Sequence, residues 1–379
     1  MVNVVYGVSG EGSGHATRSK FILHHLLERG HKVKVVTYDR GYALLKDEFD
    51  CFETEGLHIS VEDNEVSKRK TVIENLKKLP HGRRRLQTLQ KEVYDGFEPD
   101  CVITDFEPMT AWLASRYDLP LITIDNQHAM RYMKYPCPEY LSKQRRLTEM
   151  VIRAMVPKPD VCLVTSFYHG KPTNDRTFLF PPILREEFYD LKPVTEDFIL
   201  VYLTRGFESF TEKLKQFRRE RFVIYGCDMT GEYGPLHYKP FSATEFPRDL
   251  AACKAVMATA GFSLITESLY LHKPFLAVPM AGQFEQEINA YLLQRLSYGK
   301  AVREIHSDAI GAFLYHLPDY RAHLQGYKAI QQVSLTAKLD QLLAHRCAEA
   351  RDFRIRRQSG ENGAESELDV DPTVASSSS

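Results

Sequence analysis

The sequence predicts an α/β protein of two domains, each a parallel sheet covered by helices, and three observations carry that reading. Short apolar runs alternate with helical segments from the first residues onward. The alternation breaks at "FPPILREEFYDLKPVTED" and then resumes. With 379 residues, 43% hydrophobic and 26% charged, the chain is long enough for two cores and too apolar to be disordered or fibrous.

The first series begins with "VNVVYGV", a strand that runs into the glycine loop "SGEGSG". "HATRSKFILHHLLERG" then shows helical spacing, Phe21, Ile22, His25, Leu26 and Arg29 tracing one face and Gly30 stopping it. "KVKVVTY" is the next strand, followed by a helical piece from Tyr42 to Lys46. "CVITDF" and "PLITIDN" are further strands on either side of the helical "MTAWLASRYDL", and "VCLVTSF" closes the series. Apolar throughout, these strands suit a parallel sheet buried on both faces. Pro181 and Pro182, with the polar stretch to residue 196, read as a linker. The second series consists of "FILVYLT", "RFVIYGC", "AVMATA" and "PFLAVPM", interleaved with the helices "SLITESLYLH" and "EQEINAYLLQRL". The expected domains are therefore 1–185 and 186–345. A polar tail, 346–379, reads as disordered.

Composition narrows the function only a little. A net charge of −1 argues neither for nor against an anionic partner, and no run of about 18 apolar residues stands out as a membrane span. "MVNVVYGVSG" lacks the basic and apolar regions of a signal peptide. The seven cysteines are scattered and form no CxxC pair, which fits reduced thiols and a cytoplasmic location.

The loop "VSGEGSGHATRS" admits two chemistries. A strand, a glycine loop and a helix start suit a dinucleotide's pyrophosphate, but the G-x-G-x-x-G pattern would need a glycine where His15 stands. Without that glycine, Asp39 is a weak candidate for a ribose acid. His15 reads either as a polar residue at a helix start or as a base at the carboxyl edge of the first strand, with glycines leaving room for substrate. A carboxylate would orient such a base, and Asp105, ending "CVITD", reaches the same edge, with Glu107 two residues on. Asp105 reads equally as the N-cap of the following helix.

The second site candidate is "ATAGFSLITESLYLHKPFLAVPMAGQFEQEINA". Its strand ends at Gly261, and Ser263 is placed to cap the next helix, whose free N–H groups suit a diphosphate. Thr266 and Glu267 lie one turn on, within reach of a ribose diol. Gln283, Glu285, Gln286 and Asn289 offer an amide and acid cluster for sugar hydroxyls.

Together, "GEGSGHATR" and "GFSLITESLYLHKPFLAVPMAGQFEQEINA" resemble the two-domain nucleotide-sugar glycosyltransferases of GT-B fold. The resemblance spans roughly residues 1–345 and is greatest to the peptidoglycan N-acetylglucosaminyltransferase and UDP-glycosyltransferase group, in an uncharacterised bacterial and archaeal branch. It implies two Rossmann-like domains facing each other across a cleft. It also implies an inverting, metal-independent transfer of a sugar, UDP-linked, to an acceptor hydroxyl. His15 would be the base and Asp105 its partner. Gly12, Gly14, Gly261 and Ser263 would line the donor site, Glu267 would bind the ribose, Phe246 would lie in the loop that recognises the nucleobase, and Glu285 and Gln286 would meet the donor sugar. The donor is a substrate, so no cofactor and no metal are expected. Thr204 and Arg205 stand where the peptidoglycan enzymes carry glycines, and Glu285 stands in place of a glutamine, leaving the sugar open. A sugar-nucleotide 2-epimerase of the same fold, or a non-catalytic nucleotide-sugar binder, is the alternative.

The acceptor is the least legible part; a lipid-linked or glycan acceptor fits the resemblance. Nine Lys/Arg against Glu74 alone, between Ser67 and Lys91, read either as a solvated basic helix pair or as a peripheral contact with an anionic lipid at the inner membrane face. The stretch lacks interleaved aromatics, so no nucleic-acid partner is expected.

Overall fold

The computed structural model of the chain describes residues 1–56, 61–62, 65–66, 84–202, 208–327 and 334–360. They divide into two compact units. One takes the described residues of 1–59, 68–183 and 330–379, the other those of 60–67 and 184–329.

In the first unit, β1 (Asn3–Val8), β2 (Lys32–Thr37), β3 (Cys51–Glu53), β4 (Cys101–Asp105), β5 (Leu121–Asp125), β6 (Val161–Thr165) and β7 (Thr177–Phe180) form one sheet. Its order is β7-β6-β5-β4-β1-β2-β3, with every pair parallel. Side chains alternate in direction along each strand. Tyr6 and Val8 therefore join one buried cluster with Ile103, Ile124 and Leu163, while Val5 joins another with Val102 and Leu121. Helices α1 (Gly14–Glu28), α2 (Asp39–Leu45) and α3 (Pro108–Arg116) follow their strands, as do the short α4 (Ala129–Tyr132) and α5 (Ser142–Met155). The inward face of α1 is Ile22, Leu23 and Leu26; Phe21 and His25, expected on that face, are only partly buried.

The chain runs outward from β1 to β3 and returns to β4 on the other side of β1. The carboxyl ends of β1 and β4 therefore flank the point where strand order reverses, and Val8 pairs with Asp105 there. Open α/β sheets place ligands at this point.

The second unit repeats the plan with β8 (Ile199–Tyr202), β9 (Phe222–Tyr225), β10 (Gly231–Tyr233), β11 (Leu236–Tyr238), β12 (Ala255–Thr259), β13 (Phe275–Val278) and β14 (Gly299–Ala301). The order is β10-β11-β9-β8-β12-β13-β14, parallel except for β10. Helices α6 (Glu208–Leu214), α7 (Glu245–Ala252), α8 (Phe262–Tyr270), α9 (Phe284–Arg295), α10 (Ser307–Tyr315) and α11 (Leu317–Leu324) accompany it. Here the strand order reverses between β8 and β12, and α8 starts just beyond.

The C-terminal part departs from expectation. Helix α12 (Leu335–Ser359) belongs to the first unit, so the second domain does not run to 345 and residues 346–360 are ordered on the first. Leu335, Leu339, Leu342 and Leu343 are buried at helical spacing; a break at Ala344–Cys347 resets the phase, and Cys347, Ala350 and Phe353 continue the buried stripe. Each buried leucine contributes about 1.5–3 kcal/mol. The charged residues that made the segment look solvated are paired with the first unit. Arg346 meets Asp100 at 2.8 Å, Arg354 meets Asp118 at 2.6 Å, and Arg357 meets Asp160 at 2.7 Å. Asp340 accepts from His25 at 2.8 Å and Arg29 at 2.6 Å.

Candidate active site

In the first unit the glycine loop turns tightly after β1. Gly10 lies against Tyr38, whose carbonyl oxygen would be 2.0 Å from any Cβ placed there. Gly12 adopts φ +77°, a conformation that L side chains rarely take. The turn delivers Gly14 and His15 as the first two residues of α1.

His15 Nδ1 lies 2.7 Å from Asp105 Oδ1. Asp105 is fully buried; burial pushes its carboxyl upward, but Arg18 and His15 outweigh that and hold it below the ordinary carboxylate range. An ionised Asp105 only accepts, so the 2.7 Å contact requires the hydrogen on Nδ1. Nε2 is then the basic nitrogen of the ring.

The N-cap alternative for Asp105 falls to its neighbour. Glu107 caps α3 instead, accepting from Met109 N at 2.9 Å and Thr110 N at 2.7 Å. Phe106 between them takes φ +58°, and the turn gives the two acids separate tasks. Burial pushes the Glu107 carboxyl above its ordinary value against those hydrogen bonds.

Arg18 is the residue that sequence reasoning missed. Its Nε donates to Asp105 Oδ2 at 2.6 Å and its Nη2 to Oδ1 at 2.5 Å, a bidentate pair. Nη2 also lies 2.8 Å from His15 Nδ1, so two donors converge on one carboxylate oxygen. Nη1 donates to Asn126 at 2.5 Å and Nη2 to Gln127 at 3.3 Å, both just beyond β5. Ser19 adds a fourth donor to Asp105 at 3.2 Å. The available signal was spacing: His15 and Arg18, three apart, share one helix face.

In the second unit the N-cap of α8 is Gly261, which has no side chain to cap the helix with. Ser263, expected as the cap, is instead the exposed second residue of the helix; a cap must precede the first turn. A Cβ on Gly261 would meet nothing within 4 Å. The helix therefore starts beside open space, with no N-cap side chain over its first turn.

Glu267 is buried in α8, and both its oxygens are taken by Arg185, at 2.7 Å to Nε and 3.0 Å to Nη2. Burial raises the Glu267 carboxyl above its ordinary value, and Arg185 pulls it back only in part. Arg185, read from sequence as part of a linker, is thus a member of this cluster. Gln286 is held by its own loop, accepting from Met280 N at 3.0 Å and donating to Gln283 at 2.7 Å. Glu285 is half-buried in the first turn of α9. Asn289 donates to Ala260 O at 3.2 Å and ties α9 to the start of α8.

Phe246 is not in a loop. It lies in the first turn of α7, 3% exposed, with its ring edge-on to Tyr202 and Tyr225 at 5.5 and 5.1 Å. Its N–H already donates to Ser242 O at 3.1 Å, so ring packing and helix geometry fix this residue. Thr204 and Arg205 lie outside the described residues, as does most of the basic stretch 67–91, of which only residues 84–91 are described. No helix among the described residues is long and apolar enough to cross a membrane.

Comparison with known proteins agrees with the architecture of two parallel sheets. The profile of glycosyl transferase family 1 matches residues 2–318. An uncharacterised glycosyltransferase of Methanosarcina acetivorans is 22% identical over 330 residues, covering 79% of this chain and 85% of the relative. Among solved structures, the calicheamicin glycosyltransferase CalG4 superposes with a TM-score of 0.60 at 15% identity, covering 94% of this chain and 99% of its own. The Arabidopsis thaliana glycosyltransferase UGT89C1, complexed with UDP-L-rhamnose, gives 0.63 at 17% identity, covering 91% and 99%. These are GT-B structures, and the two parallel-sheet units are of that fold class.

Proposed function

The chain belongs to glycosyl transferase family 1, and on that footing we propose that it moves a sugar from a nucleotide sugar, UDP-linked, to an acceptor hydroxyl with inversion at the anomeric carbon. The observation that carries the reading is the His15–Asp105 pair, 2.7 Å apart at the strand-order reversal of the first unit. His15 Nε2 takes the proton of the acceptor hydroxyl as its oxygen attacks the anomeric carbon, and the glycosidic bond to the diphosphate breaks. Asp105 holds the ring by its Nδ1–H and balances the imidazolium. The N–H groups at the start of α8 receive the leaving diphosphate, a task that the helix dipole favours and that needs no metal. Glu267, steadied by Arg185, keeps acceptor capacity for the ribose diol. Glu285 and Gln286 are the candidates for the sugar. Kinship with the peptidoglycan N-acetylglucosaminyltransferase group rests on likeness of motifs, and it makes a lipid-linked or glycan acceptor at a cytoplasmic membrane face the first to try.

Arg18 modifies this mechanism. It holds Asp105 in place by a bidentate pair and helps to keep its carboxyl below the ordinary range. The pair is therefore preorganised before substrate arrives.

His15→Ala tests the proposal. Transfer is expected to fall by about 10²- to 10⁴-fold, while UDP and UDP-sugars still raise the melting temperature of the variant. Unchanged turnover in His15→Ala would remove the base assignment. Thermal stabilisation by NAD(P) and not by uridine nucleotides would overturn the donor class.

A further inference from the structure

Helix α5 is folded with its apolar face outward. Leu147, Met150, Val151 and Ala154 lie side by side at helical spacing and are all exposed, Met150 at 59% and Val151 at 52%. The opposite face is polar: Gln144, Arg145, Thr148 and Glu149 are half-buried, and Arg145 donates to Glu149 at 2.9 Å while lying 4.9 Å from the Tyr135 ring centre. Ile152 is the helix's single buried residue. Trp112 of α3 extends the outward patch; it is 59% exposed, and its Nε1 donates to Ala154 O at 3.0 Å. Lys143, Arg146 and Arg153 are exposed on the same helix, and none of its exposed residues is acidic.

We propose that this face, α5 with Trp112, is a docking surface for an anionic lipid bilayer. An amphipathic helix with apolar side chains outward and cations beside them lies in the plane of a membrane interface; at 14 residues α5 is too short to span one. The chemistry favours lipid over a second copy, because a symmetric contact would set two basic rims against each other. Anionic headgroups complement that rim, and the acyl boundary receives Leu147, Met150, Val151 and the indole. The inference does not rest on the transfer reaction and draws on none of residues 67–91.

Trp112 is the chain's single tryptophan, so its emission reports on this patch alone. With phosphatidylcholine–phosphatidylglycerol vesicles the emission of the full chain is expected to shift to shorter wavelength, with co-sedimentation that weakens as salt is raised. Pure phosphatidylcholine gives a smaller shift. The double variant Met150→Asp/Val151→Asp alters only exposed side chains, so it folds, and it is expected to partition about tenfold more weakly. Unchanged emission with no co-sedimentation overturns the proposal. Full binding by the double variant also does, by placing the lipid contact elsewhere. So does emission that is already blue-shifted without lipid: a shift that grows with protein concentration means a second copy covers the patch, and one independent of concentration means the chain covers it itself.

Discussion

The two candidate sites stand at equivalent places in their sheets and are built in opposite ways. At the reversal point of the first unit, side chains make the site: Asp105 receives donors from His15, Arg18 and Ser19 before any substrate arrives. At the reversal point of the second, backbone makes it: α8 begins at an uncapped glycine beside open space. The difference suits the two tasks proposed for them. Proton transfer needs one ring held in one tautomer, which calls for a saturated polar network. A diphosphate needs several donors and room to enter, which a helix N-terminus supplies and a side chain would obstruct.

The largest effect is expected from breaking the first network at Arg18. Arg18→Met leaves Asp105 buried with His15 and Ser19 as its remaining partners, and loss of one member of a buried pair costs about 3–5 kcal/mol. Removing the guanidinium also frees the carboxylate that orients the His15 ring, so kcat/KM falls beyond what lost stability explains. Denaturant midpoints and transfer rates measured well below the melting transition separate the two consequences. Lost stability with unchanged kcat/KM would make Arg18 purely structural.

An intermediate effect compares glycines from the two regions. Gly10→Ala must push a methyl into Tyr38 and is expected to cost about 1–3 kcal/mol of stability. Gly261→Val meets empty space at φ −68° and ψ 137°, an ordinary extended backbone. It should leave the melting temperature near wild type and weaken UDP binding about tenfold or more by covering the helix start. Calorimetric titration with UDP decides; unaltered affinity would move the diphosphate away from α8.

A smaller effect concerns the clasp that holds α12. Burial raises the carboxyls of Asp100 and Asp340, but their hydrogen bonds, from Asn3 N and Arg346 to one and from Arg29 and His25 to the other, leave both below the ordinary range. A lowered folded-state value contributes stability above the unfolded value, about 3.9, and loses it as pH falls through the folded one. Amide protection factors in α12, corrected for the intrinsic pH dependence of exchange, should therefore fall below about pH 4 and stay flat between neutrality and there. Asp340→Asn should flatten part of that acid response.

His15, Asp105 and the start of α8 were legible because each adjoins the end of an apolar strand, where topology concentrates function. Arg18 and Arg185 were not, since a single arginine in a helix or linker looks solvated until its buried acid is known. The α12 segment was lost for a related reason. The break at Ala344–Cys347 disrupts the period of its leucines, and its charges are ion pairs whose partners lie far away in sequence. Phe246 failed differently: a position carried over from a resemblance met a helix turn and an aromatic cluster.

Ser263 separates the two designs at their narrowest difference. As a cap, its hydroxyl would satisfy a helix N–H, and its loss would destabilise by about 1 kcal/mol. The structure gives the cap position to Gly261 and leaves Ser263 exposed one residue inside the helix. Ser263→Ala is therefore expected to change stability by less than about 0.5 kcal/mol. If the hydroxyl adds one donor to the bound diphosphate, UDP affinity falls several-fold, in line with about 1 kcal/mol for a hydrogen bond. A lower melting temperature with unchanged UDP affinity would show the reverse, a side-chain cap in the second unit, and the contrast between a side-chain site and a backbone site would no longer hold.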